Sequence, residues 1–307
     1  MENVIATYFY KEDESINSSY ANISTNNKDQ IYWNTVYLFY LTSVFFNKTA
    51  RHCFFTNIKN FPYRDSLEAL GVDIYDDLTN SNLGSGKWAS VKFFFDVINY
   101  ITINEEFDND CYYALFDTDC IAVNKFNFDE LKSDNYGYVV GVENKEDYNF
   151  HGKSLKELAD IYKSIFNRSI VISDKVGGEF FCFKKSDKNN IFEYFECILQ
   201  SKYNESIKTE EQILSMVNSD FPLGQHTKLI KRVWTTPKCF NLKSQDINDF
   251  YFLHLPSEKD NVTNDLLNLF KSGDFDGDFT RTLLSKPHKL WLEKIKLKIL
   301  KNFWGTK

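Results

Sequence analysis

The sequence predicts an α/β protein built on a parallel β-sheet that helices cover. Short runs rich in β-branched and aromatic residues alternate along the chain with longer apolar or amphipathic runs, which is the order of elements in parallel sheets. The chain is 307 residues long and 43% hydrophobic, with 29 Phe and 18 Tyr. This composition provides enough apolar surface for one large domain and an appendage.

The first third of the chain contains three predicted strands and two predicted helices. Residues 31–46 are long enough and apolar enough for a helix packed on a sheet, and residues 84–101 have helical spacing behind a glycine-rich start. The predicted strands are residues 3–10, 51–57 and 71–78. A further apolar strand begins at Cys111 and ends at two aspartates. The order of these elements is that of a parallel sheet.

The rest of the chain continues the pattern up to a candidate boundary near residue 260. Predicted strands cover residues 136–144 and 177–185, strand-like runs cover 226–237 and 249–256, and predicted helices cover 154–166, 189–203 and 209–217. Thr209 is a good N-cap for the last of these helices, and two acids in its first turn suit the helix dipole. Beyond the boundary, a polar stretch leads to a predicted helix over 288–304.

Charge and cysteine spacing exclude several classes of protein. The formal net charge is −7, which argues against a nucleic-acid partner held by a general positive field. The six cysteines lie far apart and form no C-x-x-C pair, so we predict reduced, mostly buried thiols. The N-terminus lacks the pattern of a secretory signal, and no apolar run reaches the roughly 20 residues of a membrane span. We therefore predict a cytoplasmic protein.

The stretch LFDTDCIAV, residues 115–123, carries the strongest functional signal. Functional groups gather beyond the carboxyl ends of parallel strands, and Asp117 and Asp119 lie where a buried strand stops. If the strand continues, side chains at i and i+2 point the same way, so both carboxylates could face one divalent cation that also holds phosphates. Other closely spaced aspartates in this chain lack apolar runs on both sides and are typical of solvated turns.

Together with the order of elements, LFDTDCIAV resembles the metal-binding D-x-D motif of GT-A fold glycosyltransferases. Residues 176–187, VGGEFFCFKKSD, resemble the strand of these enzymes that lines the sugar and acceptor pocket. Residues 209–217, TEEQILSMV, resemble the short acidic helix of the glycogenin-like and bacterial galactosyltransferase-like group. Residues 252–260, FLHLPSEKD, resemble that group's late His-to-Lys motif. The resemblance covers about residues 4–260.

The resemblance implies a GT-A, Rossmann-like domain with a mixed, mainly parallel sheet flanked by helices. This domain would cover residues 1–260, with a nucleotide-sugar-binding half at 1–123 and an acceptor-binding half at 124–260. Residues 261–307 would form a C-terminal helical extension. The implied activity is metal-dependent transfer of a sugar from a nucleoside diphosphate, a uridine diphosphate sugar, to a carbohydrate acceptor of surface polysaccharide or lipid-linked glycan.

By the same resemblance, Asp117, Asp119 and His254 would hold Mn²⁺ or Mg²⁺. Departure of a diphosphate requires its charge to be neutralised, which a metal ion and cationic side chains do. An imidazole suits Mn²⁺ better than Mg²⁺. Lys259 would contact a phosphate oxygen as a point charge, and Asp117 would also face the donor. The Gly and Lys-Pro-Trp neighbours that the family has around this lysine are missing here.

Further donor-binding candidates lie on the first strand and on the helix predicted over 84–101. These candidates are Ala6, Thr7, Tyr8, Lys87 and Lys92. The strand residues would present backbone groups and an aromatic face to the base, although packing explains Tyr8 equally well. Lys92 interrupts an apolar run and therefore needs a partner, which either the donor or Asp96 one turn later could supply.

On the acceptor side, Gly177 and Gly178 would let the backbone approach a sugar closely. Glu179, Glu210 and Glu211 are the candidate catalytic residues. One of them would be the general base in an inverting transfer, or they would orient the acceptor and stabilise an oxocarbenium-like state in a retaining one. The residues leave both outcomes open, and the resemblance leans slightly toward retention.

Two other functions remain open. An apolar strand that ends in D-x-D also opens haloacid-dehalogenase-like phosphatases, in which Asp117 would be the nucleophile. Ile121 and the long segment before the motif depart from that pattern. The other alternative is a non-catalytic GT-A-like binding subunit, although a module without metal binding has no physical need to keep His254 and Lys259 with both aspartates.

The C-terminal segment, residues 280–307, is basic, and Glu293 is its only acid. On a helix its apolar residues would form one broad face with lysines around it. These are Leu290, Trp291, Ile295, Ile299 and Phe303. Such a helix suits an anionic membrane surface, so we predict peripheral attachment to the cytoplasmic face. The alternative is a helix packed on the protein itself or on a second protomer of a homo-oligomer.

Overall fold

The structure, a computed structural model, describes residues 2–12, 28–79, 81, 90–142, 148–187, 190–234, 239–256, 259–273, 275–279, 282–285 and 292. The chain forms two compact units that are discontinuous in sequence. Unit 1 comprises Met1–Tyr20, Thr49–Thr118 and Asn127–His226, and unit 2 comprises Ala21–Lys48, Asp119–Phe126 and Thr227–Lys307. The predicted division into functional halves at residue 123 stays a prediction.

Strands and helices alternate along most of the chain. The strands are β1 (Val4–Phe9), β2 (Arg51–Thr56), β3 (Val72–Tyr75), β4 (Tyr112–Phe116), β5 (Cys120–Ala122), β6 (Asn135–Gly141), β7 (Asn149–Phe150), β8 (Lys153–Ser154), β9 (Asp174–Lys184), β10 (Ile230–Arg232) and β11 (Phe252–His254). The helices are α1 (Lys28–Phe46), α2 (Arg64–Ala69), α3 (Phe93–Ile103), α4 (Leu155–Phe166), α5 (Ile191–Gln200), α6 (Glu210–Asp220), α7 (Ser244–Asp249) and α8 (Lys259–Lys271).

Unit 1 is built on a six-stranded sheet in the order β3-β2-β1-β4-β9-β6. The first four strands are mutually parallel, and β9 runs antiparallel to both β4 and β6. The predicted α/β class, with a mixed and mainly parallel sheet flanked by helices, is therefore confirmed. Because β4 lies between β1 and β9, the chain leaves the sheet at Asp117 from an inner strand.

Aromatic side chains fill much of the core of unit 1. On α3, the ring of Phe94 lies 5.8 Å from Tyr8 of β1 and 5.7 Å from Phe181 of β9, measured between ring centroids. Phe95 packs against Phe195 of α5 at 5.1 Å. Such tilted and edge-on pairs stabilise a core beyond the burial of their area. All six cysteines are free thiols, and four of them are buried.

Unit 2 contains a three-stranded sheet in the order β10-β11-β5, in which β11 is parallel to β10 and antiparallel to β5. Helix α1 and the residue that follows it, Asn47, supply hydrogen-bond acceptors along β5 and just beyond it. The Ala122 N–H donates to Thr42 Oγ1 at 3.1 Å, and the Phe126 N–H donates to Asn47 Oδ1 at 2.7 Å. The helix thereby satisfies backbone groups that an open sheet edge would leave to solvent.

Two predicted elements differ from the structure. The helix predicted from residue 84 begins at Phe93. The N–H groups of residues 93–95 donate to carbonyls three residues earlier, so the chain enters the helix through a tight 3₁₀-type turn. Residues 84–89 of that prediction lie outside the described residues. The sequence predicts only a polar stretch after residue 260, whereas the structure has helix α8 over Lys259–Lys271. Its apolar positions are few, but Leu266 and Leu267 follow the buried Thr263 at helical spacing.

No helix in the described ranges is both long enough and apolar enough to cross a membrane. The helix predicted over residues 288–304 lies outside those ranges except for Leu292. Its proposed attachment to a membrane, or to a second protomer, therefore stays a prediction.

Because Thr42 accepts a hydrogen bond from β5, we expect its hydroxyl to contribute more to stability than the hydroxyl of Thr35, another buried threonine of α1. Replacing Thr42 with Val should lower the free energy of unfolding by about 1–3 kcal/mol, because the buried Ala122 N–H loses its acceptor. Thr35 is equally buried and, like Thr42, donates to the carbonyl three residues earlier, but it accepts no β-strand N–H. Thr35→Val is therefore the matched control. Urea unfolding curves that show equal losses for the two variants would contradict the assignment.

Candidate functional site

The segment Asp117–Thr118–Asp119 leaves the sheet where β4 ends. The Asp117 N–H still donates to the Glu179 carbonyl at 3.1 Å, which is the last link of β4 to β9. The Thr118 N–H then donates to Asp117 Oδ1 at 2.8 Å, and the chain turns before β5 begins at Cys120. The strand therefore does not continue through the two acids, and the expectation that an extended strand aligns their side chains is wrong. A turn positions them instead.

In unit 2, pairing of β5 with β11 brings His254 beside Asp119. His254 pairs with Cys120, and the Leu255 N–H donates to the Asp119 carbonyl at 3.0 Å. His254 Nε2 lies 3.1 Å from Asp119 Oδ1, and Lys259 Nζ lies 2.8 Å from Asp119 Oδ2. The side chain of His254 is only 7% exposed, that of Lys259 is 6% exposed and that of Asp119 is 2% exposed. Each carboxylate oxygen of Asp119 thus contacts one nitrogen-bearing side chain.

The electrostatics of this cluster favour the ionised carboxylate. Burial alone would raise the pKa of Asp119, but the neighbouring Lys259 and His254 outweigh burial and hold that pKa well below its usual range. The ammonium of Lys259 also lies 4.9 Å from the centroid of the Tyr32 ring, within the range of a cation–π interaction. Asp119 is therefore a buried anion that the ammonium of Lys259 and the imidazole of His254 stabilise.

In unit 1, two glycines of β9 make room for two carboxylates. A Cβ at Gly177 would lie 2.0 Å from Glu179 Oε2, and a Cβ at Gly178 would lie 2.0 Å from Glu210 Oε1. No real contact of this kind is that short, so any other residue would displace the acids. The structure places the two glutamates beside these glycines, and the close approach of a sugar stays a prediction.

The adjacent acids Glu210 and Glu211 at the start of α6 have opposite protonation preferences. Burial and the charges of Glu211 and Asp117 raise the pKa of Glu210 well above its usual value. Burial also opposes ionisation of Glu211, but hydrogen bonding to His151 and the charge of Lys175 outweigh it and lower the pKa. The pair consequently favours a proton on Glu210 and a negative charge on Glu211.

The contacts of Glu211 explain this division. Its Oε2 lies 2.6 Å from His151 Nε2 and 2.9 Å from Lys175 Nζ, and its Oε1 accepts from the Gly178 N–H at 3.3 Å. Sequence reasoning missed both His151 and Lys175. Lys175 lies two residues before Gly177 on the same strand, so strand alternation could have suggested it. His151 has a positive φ of 53° in the turn between β7 and β8, and its sequence neighbourhood gives no sign of its partner.

The donor-binding candidates of β1 lie within the sheet. Ala6 and Thr7 are fully buried and have partners on both β2 and β4, and Thr7 Oγ1 donates to the Phe116 carbonyl at 2.8 Å. The ring of Tyr8 packs against Phe93 and Phe94. Packing therefore accounts for the Tyr8 side chain, as the alternative interpretation held. Lys87 lies outside the described residues.

Lys92 is 3% exposed and is the N-cap residue of α3. Its Nζ donates to the carbonyl oxygen and to Oδ1 of Asn204, at 2.7 and 2.6 Å. Asp96, the partner considered from the sequence, accepts instead from the N–H and the hydroxyl of Ser81. Lys92 thus links α3 to the short 3₁₀ turn at Asn204–Ser206, which is a structural role.

Two carboxylates and an imidazole are a donor set that could hold a metal ion. In unit 2, Asp119 and His254 supply one carboxylate and the imidazole of such a set, and Asp117 stays the predicted second carboxylate. Asp119 and His254 are in contact, and Asp117 precedes Asp119 by two residues of one turn. Their oxygen and nitrogen atoms fit Mn²⁺, which accepts mixed shells of oxygen and nitrogen ligands.

No protein family model matches the sequence, and no curated protein is significantly similar to it. The chemistry of these two clusters therefore carries the functional interpretation.

The burial of Lys92 predicts a specific dependence of stability on pH. Desolvation lowers the pKa of Lys92 to about 8, whereas the unfolded chain keeps an ordinary lysine pKa of about 10.4. Between these values the unfolded state binds more protons, so stability rises with pH. The free energy of unfolding, relative to Lys92→Met, should increase by about 3 kcal/mol from pH 8 to pH 10.5. Urea titrations of both proteins across this range measure it, and a constant difference would refute it.

Proposed function

We propose that this protein is a metal-dependent glycosyltransferase of the GT-A type. It would move a sugar from a nucleoside diphosphate, a uridine diphosphate sugar, to a carbohydrate acceptor. The observation that carries the proposal is the Asp119 carboxylate, buried between His254 and Lys259 directly after the end of an inner strand. This combination of anion, imidazole and ammonium suits a metal-bound diphosphate better than it suits a stable core, where apolar side chains would pack at lower cost.

The donor end of the reaction would depend on the residues around Asp119. Asp117, Asp119 and His254 would hold Mn²⁺ or Mg²⁺, and the bound ion supplies positive charge for the departing diphosphate. Lys259 would contact a phosphate oxygen, which adds a second positive charge at the leaving group. The ammonium of Lys92 is bonded to Asn204, so the proposal assigns it no contact with the donor.

The acceptor end would depend on the glutamates of unit 1. Glu211 is held by Lys175 and His151, which makes it a fixed negative charge rather than a mobile base. Burial favours the protonated form of Glu210, which would donate a hydrogen bond to a sugar hydroxyl. Glu179 is then the candidate general base of an inverting transfer, or the group that orients the acceptor in a retaining one. An acceptor of surface polysaccharide or lipid-linked glycan fits the predicted basic helix over 288–304.

The proposal can be tested by incubating the protein with a panel of nucleotide sugars and measuring the release of the nucleoside diphosphate. Each donor is assayed once with Mn²⁺ and once with a chelator. Wild-type protein should release the nucleoside diphosphate from at least one donor, and the chelator should abolish release. Asp119→Asn should lower turnover by about 100-fold or more. An amide would hold the metal ion less well than the carboxylate does, so the departing diphosphate would lose the positive charge that balances it. Asp246→Asn is the matched control, since Asp246 is a buried acid of unit 2 that pairs with Lys231 at 2.6 Å.

Turnover of Asp246→Asn should stay within a few fold of wild type. Full activity in the chelator, or unchanged turnover in Asp119→Asn, would refute the proposal. Release of phosphate from a generic aryl phosphate, with no donor turned over, would favour the phosphatase alternative.

A further inference from the structure

We propose that Lys259 is a resident counter-ion of Asp119 that a divalent cation displaces, and that the displaced ammonium then binds the diphosphate. Metal ion and nucleoside diphosphate would consequently bind with positive coupling. The inference rests on the proposed function, since it concerns the same site. It adds a regulatory step to that site: in the absence of substrate, the protein's own lysine occupies the carboxylate that the metal needs.

The competition follows from the two contacts of the carboxylate. Oδ2 of Asp119 lies 2.8 Å from Lys259 Nζ, and Oδ1 lies 3.1 Å from His254 Nε2. A divalent cation binds a carboxylate oxygen at about 2.0–2.6 Å. An ammonium and a metal ion on the same carboxylate would be like charges within a few ångströms in a poorly screened site. Metal binding therefore requires the ammonium to leave Oδ2.

Burial explains why the lysine stays in place until a metal arrives. Asp119 and Lys259 are 2% and 6% exposed, so neither charge is well hydrated. Removing one partner of such a pair leaves an uncompensated buried charge, which is strongly unfavourable. The Tyr32 ring, 4.9 Å from Nζ, adds a further favourable contact for the ammonium in this position. In the absence of metal, the pair is thus the stable arrangement.

The position of Lys259 in the fold gives the displaced ammonium a suitable new partner. Lys259 is the first residue of α8, a helix of 13 residues. The first N–H groups of a helix have no partner within the helix, and its dipole favours an anion there. The long, flexible lysine side chain can change direction without altering the helix. A bound diphosphate would contact the Lys259 ammonium and would also be stabilised by the dipole at the N-terminus of α8.

Two consequences follow for binding. The apparent affinity for the metal is reduced by the fraction of molecules in which Asp119 is released from Lys259. Because a diphosphate stabilises the displaced lysine, it raises the affinity for the metal, and the metal raises the affinity for the diphosphate by the same factor.

Calorimetric titration of the full-length protein with Mn²⁺ alone tests the competition. Lys259→Met removes the competing charge and keeps the length of the side chain, so its Kd for Mn²⁺ should be about tenfold lower than that of wild type. Lys231→Met, which breaks the comparable pair with Asp246, should leave the Kd for Mn²⁺ unchanged. With UDP as the probe for the diphosphate, Lys259→Met should gain less Mn²⁺ affinity from UDP than wild type does.

A second measurement uses the wild-type protein, in case Lys259→Met does not fold. Amine acylation read by mass spectrometry should be slow at the buried Lys259, faster after Mn²⁺ is added, and slow again after UDP is added. The acylation of Lys231 should not respond to either addition.

The outcomes separate the two claims. Mn²⁺ that binds wild type and Lys259→Met equally, with no change in the acylation of Lys259, overturns the displacement and leaves the proposed function intact. A protein that binds no Mn²⁺ at all overturns both.

Discussion

The compensation of one buried negative charge is the constraint on which the functional site depends. Asp119 lies directly before a short strand in unit 2, and an unpaired ionised carboxylate there would carry a large desolvation cost. The pairing of β5 with β11 brings His254 to it, and the start of α8 brings Lys259. The local architecture of unit 2 therefore surrounds this anion with an ammonium and an imidazole.

The acids of unit 1 are governed by a related constraint, the crowding of like charges. Glu210 and Glu211 are neighbours, and two negative charges cannot both be accommodated at little cost. Lys175 and His151 favour the ionised form of Glu211, whereas burial and the nearby negative charges favour the protonated form of Glu210. Gly178 permits this arrangement because it lacks the Cβ that would collide with Glu210. Glu210 and Glu211 are thus distinguished by the opposite directions of their pKa shifts as well as by their positions.

The sequence predicted what depends on local pattern and failed where distant segments meet. The longer strands and helices follow from their apolar patterns, whereas the grouping of Asp119, His254 and Lys259 follows from the resemblance to GT-A enzymes. The partner of Lys92 lies 112 residues away, and the contact of His151 with Glu211 spans 60 residues. The residues next to each partner in the sequence give no indication of either contact. Helix α8 escaped prediction because its apolar positions are sparse, and tertiary packing on unit 2 outweighs that weak local signal.

The central claim is that the Asp119 carboxylate exchanges an internal cation for a metal ion. Anomalous diffraction at the manganese edge, from crystals grown with Mn²⁺ and UDP, tests it most directly. We expect one strong anomalous peak within coordination distance of Asp119 and of His254 Nε2, with Lys259 Nζ moved from Oδ2 to a phosphate oxygen. Bound UDP without such a peak, or a peak beside a carboxylate that Lys259 still contacts at about 2.8 Å, would contradict the claim.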